Sequence, residues 1–374
     1  MNSDNRLVHV AHLSSVHAPF DSRIFHKECC SLVDAGYRVS LVVSHTHDET
    51  RQGVEVVAVP RVESRLMRML VTPIRVARAA LTLQADLYQF HDPELLPVGF
   101  MLRALGKNVV YDVHEDVPND VLQKNYLPRW LAVSLAKLVR SLHWFADRLL
   151  SGIVVVTPDV AAPFRAPVMV RNYPLLHEFE VPGPAFEDRP NAATYLGSLT
   201  PGRGSRQMRA AAHRVAVNTD RHLVLAGEIR IDPDLEAELA NARPQGPVRY
   251  AGNLDRSGVR RVLDSSRMGL FLAQPASRNL YAAYPIKVFE YMAAGIPVVV
   301  SNFPVLEEIV GEIGSGLLVD PTDVDEIAKA MNWLFDHPDQ AQEMGRRGRQ
   351  ATIERYNFAG EAVALNALYQ RLLR

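Results

Sequence analysis

The feature that most restricts the fold is an alternation. Short β-rich runs are separated by longer stretches of helical pattern, the order expected of βαβ units around parallel sheets. "LVHVAHL" (7–13), "YRVSLVV" (37–43), "VEVVAV" (54–59), "DLYQF" (86–90), "NVVYDV" (108–113) and "GIVVVT" (152–157) form one series. "AATYLGSL" (192–199), "RHLVLAGE" (221–228), "PVRYAG" (247–252), "MGLFLA" (268–273) and "IPVVVS" (296–301) form a second. Between them lies a stretch with four prolines and no helical period, which reads as a linker. A chain of 374 residues suits two cores better than one. The expected fold class is α/β, with two Rossmann-like domains at 1–172 and 192–356 joined by the linker 173–191. An amphipathic helix at 357–374 follows, and the sequence leaves open whether it packs on its own domain or crosses back to the first. Ligands of open α/β sheets bind beyond the carboxyl ends of the strands. Two such sheets facing across a deep cleft would share one site.

Composition narrows the function classes. Apolar residues at 48% and charged residues at 22% are the balance of a soluble globular protein. A formal net charge of −1 excludes a global attraction to nucleic acid. The first residues lack a charged stretch followed by an apolar export core. No apolar run reaches the roughly 20 residues of a membrane span. Cys29 and Cys30 are adjacent, a poor geometry for a disulfide, and no metal-binding CxxC occurs. A reduced, cytoplasmic protein without a metal or bound cofactor is expected.

Local chemistry concentrates in the second series. In "YPIKVFEYMAAGIPVVVSNFP" (284–304) a single acid, Glu290, sits in an apolar helix. Pro285 suits the first turn, so the amides of Ile286, Lys287 and Val288 should point out of the helix end. With the macrodipole and the Lys287 charge they would make an anion site. A diphosphate bound there would leave Glu290 placed to accept hydrogen bonds from a ribose diol. The same spacing also describes an ordinary Lys287–Glu290 surface pair. "YLGSLTPGRGSRQM" (195–208) puts Arg203 in a glycine-rich turn, as a bidentate phosphate clamp or as a solvated arginine. GxxxxGK[ST] is absent, and no GxGxxG follows the first strand.

In the first series, "LYQFHDPELLPVG" ends a strand on His91, which should face the cleft. It could instead be a helix-entry residue beside an Asp92 cap. "VVYDVHEDVP" (109–118) projects His114 and Glu115, either toward an acceptor or into a hydrogen-bonded loop. "HAPFDSRIFHKE" (17–28) offers Asp21 and Arg23 at the exit of the first strand.

Taken in order, "YLGSLTPGRG", "LVLAGE", "YAGNLD", "FEYMAAGIPVVVSNFPVLEEIV" and "GLLVDPTD" resemble the C-terminal half of retaining glycosyltransferases of family 4, of GT-B fold. "HLSSVHAPFDSRIFHKECCSLVDAGYRVSLV" and "FHDPELLPVG" resemble the N-terminal half. The resemblance implies a cytoplasmic, metal-independent enzyme that moves a sugar from a nucleoside diphosphate donor, UDP- or GDP-linked, with retention. It implies ribose binding by Glu290, diphosphate contacts from Arg203 and Lys287, and backbone contacts to the base from Gly252 and Asn253. It also implies a catalytic His91 near the anomeric carbon, and a loop bearing Asp21 and Arg23 where donor and acceptor meet. Two positions depart from the pattern: Ala282 replaces the first motif glutamate, and Ser198 a second basic residue. Retention without an enzymic nucleophile implies front-face substitution, with catalysis resting on stabilisation of the departing diphosphate. Competing classes are a nucleotide-sugar 2-epimerase and a catalytically silent nucleotide-sugar-binding subunit. Residues 61–83 carry five arginines against one glutamate, and 126–150 form a Trp-containing amphipathic pattern. These are ordinary Rossmann helices or peripheral contacts with the inner face of a membrane, the latter suiting a lipid-linked rather than a glycan or small-molecule acceptor.

Overall fold

A computed structural model of the chain describes residues 6–122, 127–180, 183–230, 232–240, 245–276 and 284–374. It divides into two units, residues 1–172 with 358–374, and residues 173–357.

The first unit is built on strands β1 (His9–Leu13), β2 (Arg38–Ser44), β3 (Glu49–Arg51), β4 (Val54–Val59), β5 (Leu87–Phe90), β6 (Asn108–Val113), β7 (Gly152–Val155) and β8 (Val168–Met169). Their order in the sheet is β3-β4-β2-β1-β5-β6-β7-β8, parallel except for β3 against β4. The steps β4→β5, β5→β6 and β6→β7 all move the same way across the sheet. Right-handed crossovers therefore put helices Arg65–Leu83, Leu96–Ala104 and Arg129–Leu149 on one face, where they pack side by side. The step β1→β2 moves the other way, and its helical segment lies on the opposite face. That segment is not a uniform α-helix. Ser22–Cys29 is wound more widely, with the His26 amide reaching back to the Asp21 carbonyl, and α-helix resumes at Cys30–Asp34. Wide turns of this kind re-aim side chains, and here Arg23, Lys27 and Glu28 are all buried. Gly36, at φ +89°, ends the run.

The C-terminal helix Phe358–Leu372 packs on this same face of the first unit. The Tyr369 hydroxyl, fully buried, donates to Gln89 Oε1 at 2.7 Å. Tyr37 Oη donates to Asn366, and Asn108 Nδ2 to the Leu372 carbonyl.

The second unit has an all-parallel sheet, β11-β10-β9-β12-β13-β14. Its strands are β9 (Ala192–Leu196), β10 (His222–Ala226), β11 (Val248–Tyr250), β12 (Met268–Phe271), β13 (Val298–Ser301) and β14 (Gly316–Val319). Its central strands are buried on both faces, as helices above and below require. Residues 173–191, expected as a linker, belong to this unit. Tyr173, Phe179 and Phe186 are buried, and Tyr173 stacks edgewise on Phe289 and Tyr356. The prolines set an extended path, but the aromatic side chains between them anchor it to the core.

Candidate functional site

In the second unit the strand exits are packed main chain against main chain. Gly227, at φ +127°, lies so close to Gly197 that a Cβ would stand 2.1 Å from its carbonyl oxygen. Gly204, at φ +78°, approaches the Leu272 carbonyl in the same way. The Gly252 carbonyl accepts from the Gly227 amide, and Asn253 beside it is exposed. These contacts bring the ends of β9, β10, β11 and β12 to one edge, and only glycine permits them. Arg203 closes the short turn Pro201–Arg203 there, half-buried beside the Tyr195 hydroxyl. Ser198 contributes its carbonyl to that same hydroxyl.

The helix Ile286–Ala293 is fixed to this edge by Tyr291. Its ring lies on Gly269, where a Cβ would collide at 2.3 Å, and its hydroxyl accepts from the Leu196 amide at the end of β9. Pro285 is the N-cap rather than a first-turn residue, and no side chain caps the helix. The Val288 amide bonds the Pro285 carbonyl at 3.0 Å, so the free helix end is reduced to Ile286 and Lys287. Glu290 is 5% exposed, and Lys287 Nζ donates to its Oε2 at 2.9 Å. Of the two readings its spacing allowed, a ribose partner or a Lys287–Glu290 pair, the structure contains the pair: the i,i+3 spacing lets the lysine stem fold back over the carboxylate. Ala282 lies outside the described residues.

In the first unit a polar network runs beneath the carboxyl ends of β1, β5 and β6. Arg23 donates to both Asp112 oxygens, from Nε at 2.9 Å and Nη2 at 2.7 Å, and to the Val170 carbonyl. Asp112 also accepts from His91 Nδ1 at 2.9 Å. The Arg23 guanidinium holds the Asp112 carboxyl well below its usual range despite complete burial. Because that carboxylate can only accept, His91 must carry its proton on Nδ1. His91 Nε2 then accepts from His12 Nδ1 at 3.0 Å. Burial lowers the basicity of both rings, so each is neutral. Gln89 Nε2 donates to Glu28, whose carboxyl is pushed well up by burial and by Asp112.

Three expectations change here. His91, expected to face the cleft, is buried with both ring nitrogens engaged, because β5 turns it under the loop after β1. Arg23, expected to meet donor or acceptor, is drawn inward by Asp112 and Glu28. Asp21 is the N-cap of the wide turn, accepting from the amides of Arg23 and Ile24. Of the remaining acceptor-side residues, Glu115 is exposed, and His114 is half-buried with Nδ1 3.5 Å from Asp112.

The group that reaches the surface is one the sequence reading passed over. His17 lies 3.0 Å from Asp92 and 3.3 Å from His114, Nε2 to Nε2. Asp92 does not cap the following helix. It accepts instead from Ser14 Oγ, Ser15 N and Ser15 Oγ, and its carboxyl is held far below the usual range. Opposed by burial but outweighed by Asp92, the His17 pKa is raised to about 9. A signal was available: His12, Gln89 and Asp112 are polar residues inside apolar strands, each near a carboxyl end, and His12 and Gln89 are register partners.

Ligand atoms for a metal ion gather at His12/Glu28/His91, His91/Asp112/His114 and His45/His47/Glu49 among the described residues. In the first two sets most of these atoms already serve the hydrogen bonds above.

Similarity to known proteins covers both units. The model of "Glycosyl transferases group 1" matches residues 178–351, and that of the "Glycosyl transferase 4-like domain" matches residues 22–175. The MMP α-(1→4)-mannosyltransferase of Mycolicibacterium hassiacum is 25% identical over 80% of this chain and 74% of its own length. The D-rhamnosyltransferase WbpZ of Pseudomonas aeruginosa is 26% identical over 71% of this chain and 68% of its own. Among solved structures, sucrose-phosphate synthase from Thermosynechococcus elongatus superposes with a TM-score of 0.75 at 16% identity, covering 98% of this chain and 99% of its own. Anabaena Alr3699/HepE in complex with UDP gives 0.69 at 13% identity, covering 97% and 100%.

Proposed function

The chain belongs to the group 1 glycosyltransferases, enzymes acting on nucleotide sugars on a GT-B fold, and from that premise we propose that it transfers a hexose, with retention, from a nucleoside diphosphate donor to an acceptor hydroxyl. The observation that carries this reading is the uncapped end of helix Ile286–Ala293, with Lys287 on its first turn and the glycine-lined strand exits tied to it through Tyr291. Main-chain amides and a lysine at such an end suit a diphosphate.

In the proposed reaction the bond from the anomeric carbon to the diphosphate oxygen breaks. The acceptor oxygen bonds to that carbon on the same face, and its proton passes to the departing phosphate. The products are a nucleoside diphosphate and a glycoside. Lys287, Arg203 and the helix end stabilise the leaving charge. Lys287 must then divide itself between Glu290 and the diphosphate, which frees a Glu290 oxygen for the ribose diol. In the first unit, buried His91 holds the network around Asp112 in place, and His17 is the candidate group for contact with an acceptor. UDP is the base-bearing group we favour, because the HepE structure that shares this fold holds UDP. The free thiols Cys29 and Cys30 fit a reducing, cytoplasmic setting.

Thermal-shift screening against UDP, GDP, ADP and dTDP tests donor binding, and nucleoside diphosphate release with and without acceptor tests transfer. Arg203→Ala and Lys287→Ala should each slow release by more than about tenfold. Unchanged turnover in both variants overturns the mechanism. Binding without release under any acceptor would mark a silent subunit instead.

A further inference from the structure

Helix Arg129–Leu149 is apolar on two sides. Its inward face buries Ala132, Ala136, His143 and Ala146 and half-buries Leu135, Val139 and Leu142. A second set of large apolar residues faces solvent, with Trp130 72% exposed and Leu138, Trp144, Phe145 and Leu149 each about half exposed. An amphipathic helix of a water-soluble domain keeps that outer face polar. With 3.6 residues per turn these five side chains fall within about 140° of the helix circumference and so form one stripe. Exposed Arg129, Lys137, Arg140 and Arg148 run along it, and the Arg148 guanidinium stacks 3.7 Å over the Trp144 ring. The helix has one acid, Asp147, and that is turned away into a 2.7 Å pair with Arg165.

The pattern repeats on the same face of the sheet. Helix Arg65–Leu83 exposes Met67, Met69, Leu70, Ile74 and Leu81, and its sequence contains arginines but no acid. In the second unit, by contrast, the described large apolar residues left exposed are Val217, Tyr250 and Ile353, which are scattered. Single exposures of that sort need no explanation, whereas a layer of them does.

We propose that this helical layer of the first unit is a docking face for an anionic lipid bilayer. Tryptophan and phenylalanine set into the headgroup boundary, with lysine and arginine stems reaching to phosphate, are the chemistry of interfacial binding. No helix among the described residues is long and apolar enough to cross a membrane, so the contact is peripheral. A second copy of this chain fits poorly, because a two-fold contact would set one basic stripe against another. The inference is independent of the donor site and needs no sugar nucleotide.

Flotation of the full chain with phosphatidylcholine vesicles, and with vesicles also containing phosphatidylglycerol, tests it. The protein should bind the anionic vesicles at least about tenfold better. Trp130→Ser/Trp144→Ser/Phe145→Ser and, separately, Lys137→Glu/Arg140→Glu should each lose about tenfold of that binding. Circular dichroism should stay unchanged, since all five side chains lie outside the core. Failure to float with anionic vesicles overturns the proposal, as does equal binding by both variants. So does a dimer in sedimentation that the triple substitution dissociates, which would make the occupant a second copy.

Discussion

Asp112 shows how much a single buried carboxylate organises. It holds Arg23 by two hydrogen bonds, fixes the His91 tautomer and, through it, the direction of the His91–His12 bond. Asp112→Ala would leave the Arg23 charge facing only the Val170 carbonyl and Glu28, the latter a contact at 3.0 Å that lacks hydrogen-bond alignment. Removing one partner of such a pair costs about 3–5 kcal/mol, a loss that urea unfolding will read directly. His17 makes a different prediction, about pH. Its folded pKa, about 9, lies above the ordinary 6.5. The His17–Asp92 contact therefore stabilises the fold fully below pH 6.5, and that contribution disappears as pH rises through about 9. The NMR titration of His17 should show the raised midpoint, and Asp92→Asn should return it toward 6.5 and flatten stability over that window.

Among the elements, the helix Ile286–Ala293 and the glycine exits depend on close approach rather than on propensity. Gly227→Ala would place a Cβ against the Gly197 carbonyl at a positive φ that alanine avoids. A destabilisation on the order of 3 kcal/mol is expected, together with loss of nucleotide-induced thermal shift. The wide-wound segment Ser22–Cys29 teaches a complementary point. Its sequence is polar and offers Asp21 and Arg23 at a strand exit, yet its winding turns Arg23, Lys27 and Glu28 into the core, where Lys27 Nζ meets Asn172 Oδ1 at 2.6 Å. Helix periodicity assumes about 3.6 residues per turn, so a segment that departs from it hides which residues face inward.

For the molecule as a whole, the C-terminal helix is the strongest test of how the units are assembled from the chain. Leu365, Leu368 and Tyr369 are buried in the first unit, although the residues that lead into their helix, up to Asn357, belong to the second. Ending the chain at Asn357 would open the apolar face that Leu365, Leu368 and Tyr369 cover and leave Gln89 without its tyrosine partner. In calorimetry the transition of the first unit should fall by several degrees, and that of the second should hold. The alternation of strands and helices, the division into two sheets and the family likeness were all legible in the residues, because periodicity and turn chemistry act between near neighbours. Strands β3, β8 and β14 were not, being too short to carry a period. Nor was the His17–Asp92 pair or the inward turn of Arg23 and His91, whereas the Lys287–Glu290 pair was one of the two readings its spacing allowed. His12 meets His91 across 79 residues and Tyr369 across 357. Which charges are paired and which face water is settled by partners that distant, and only the folded chain brings them together.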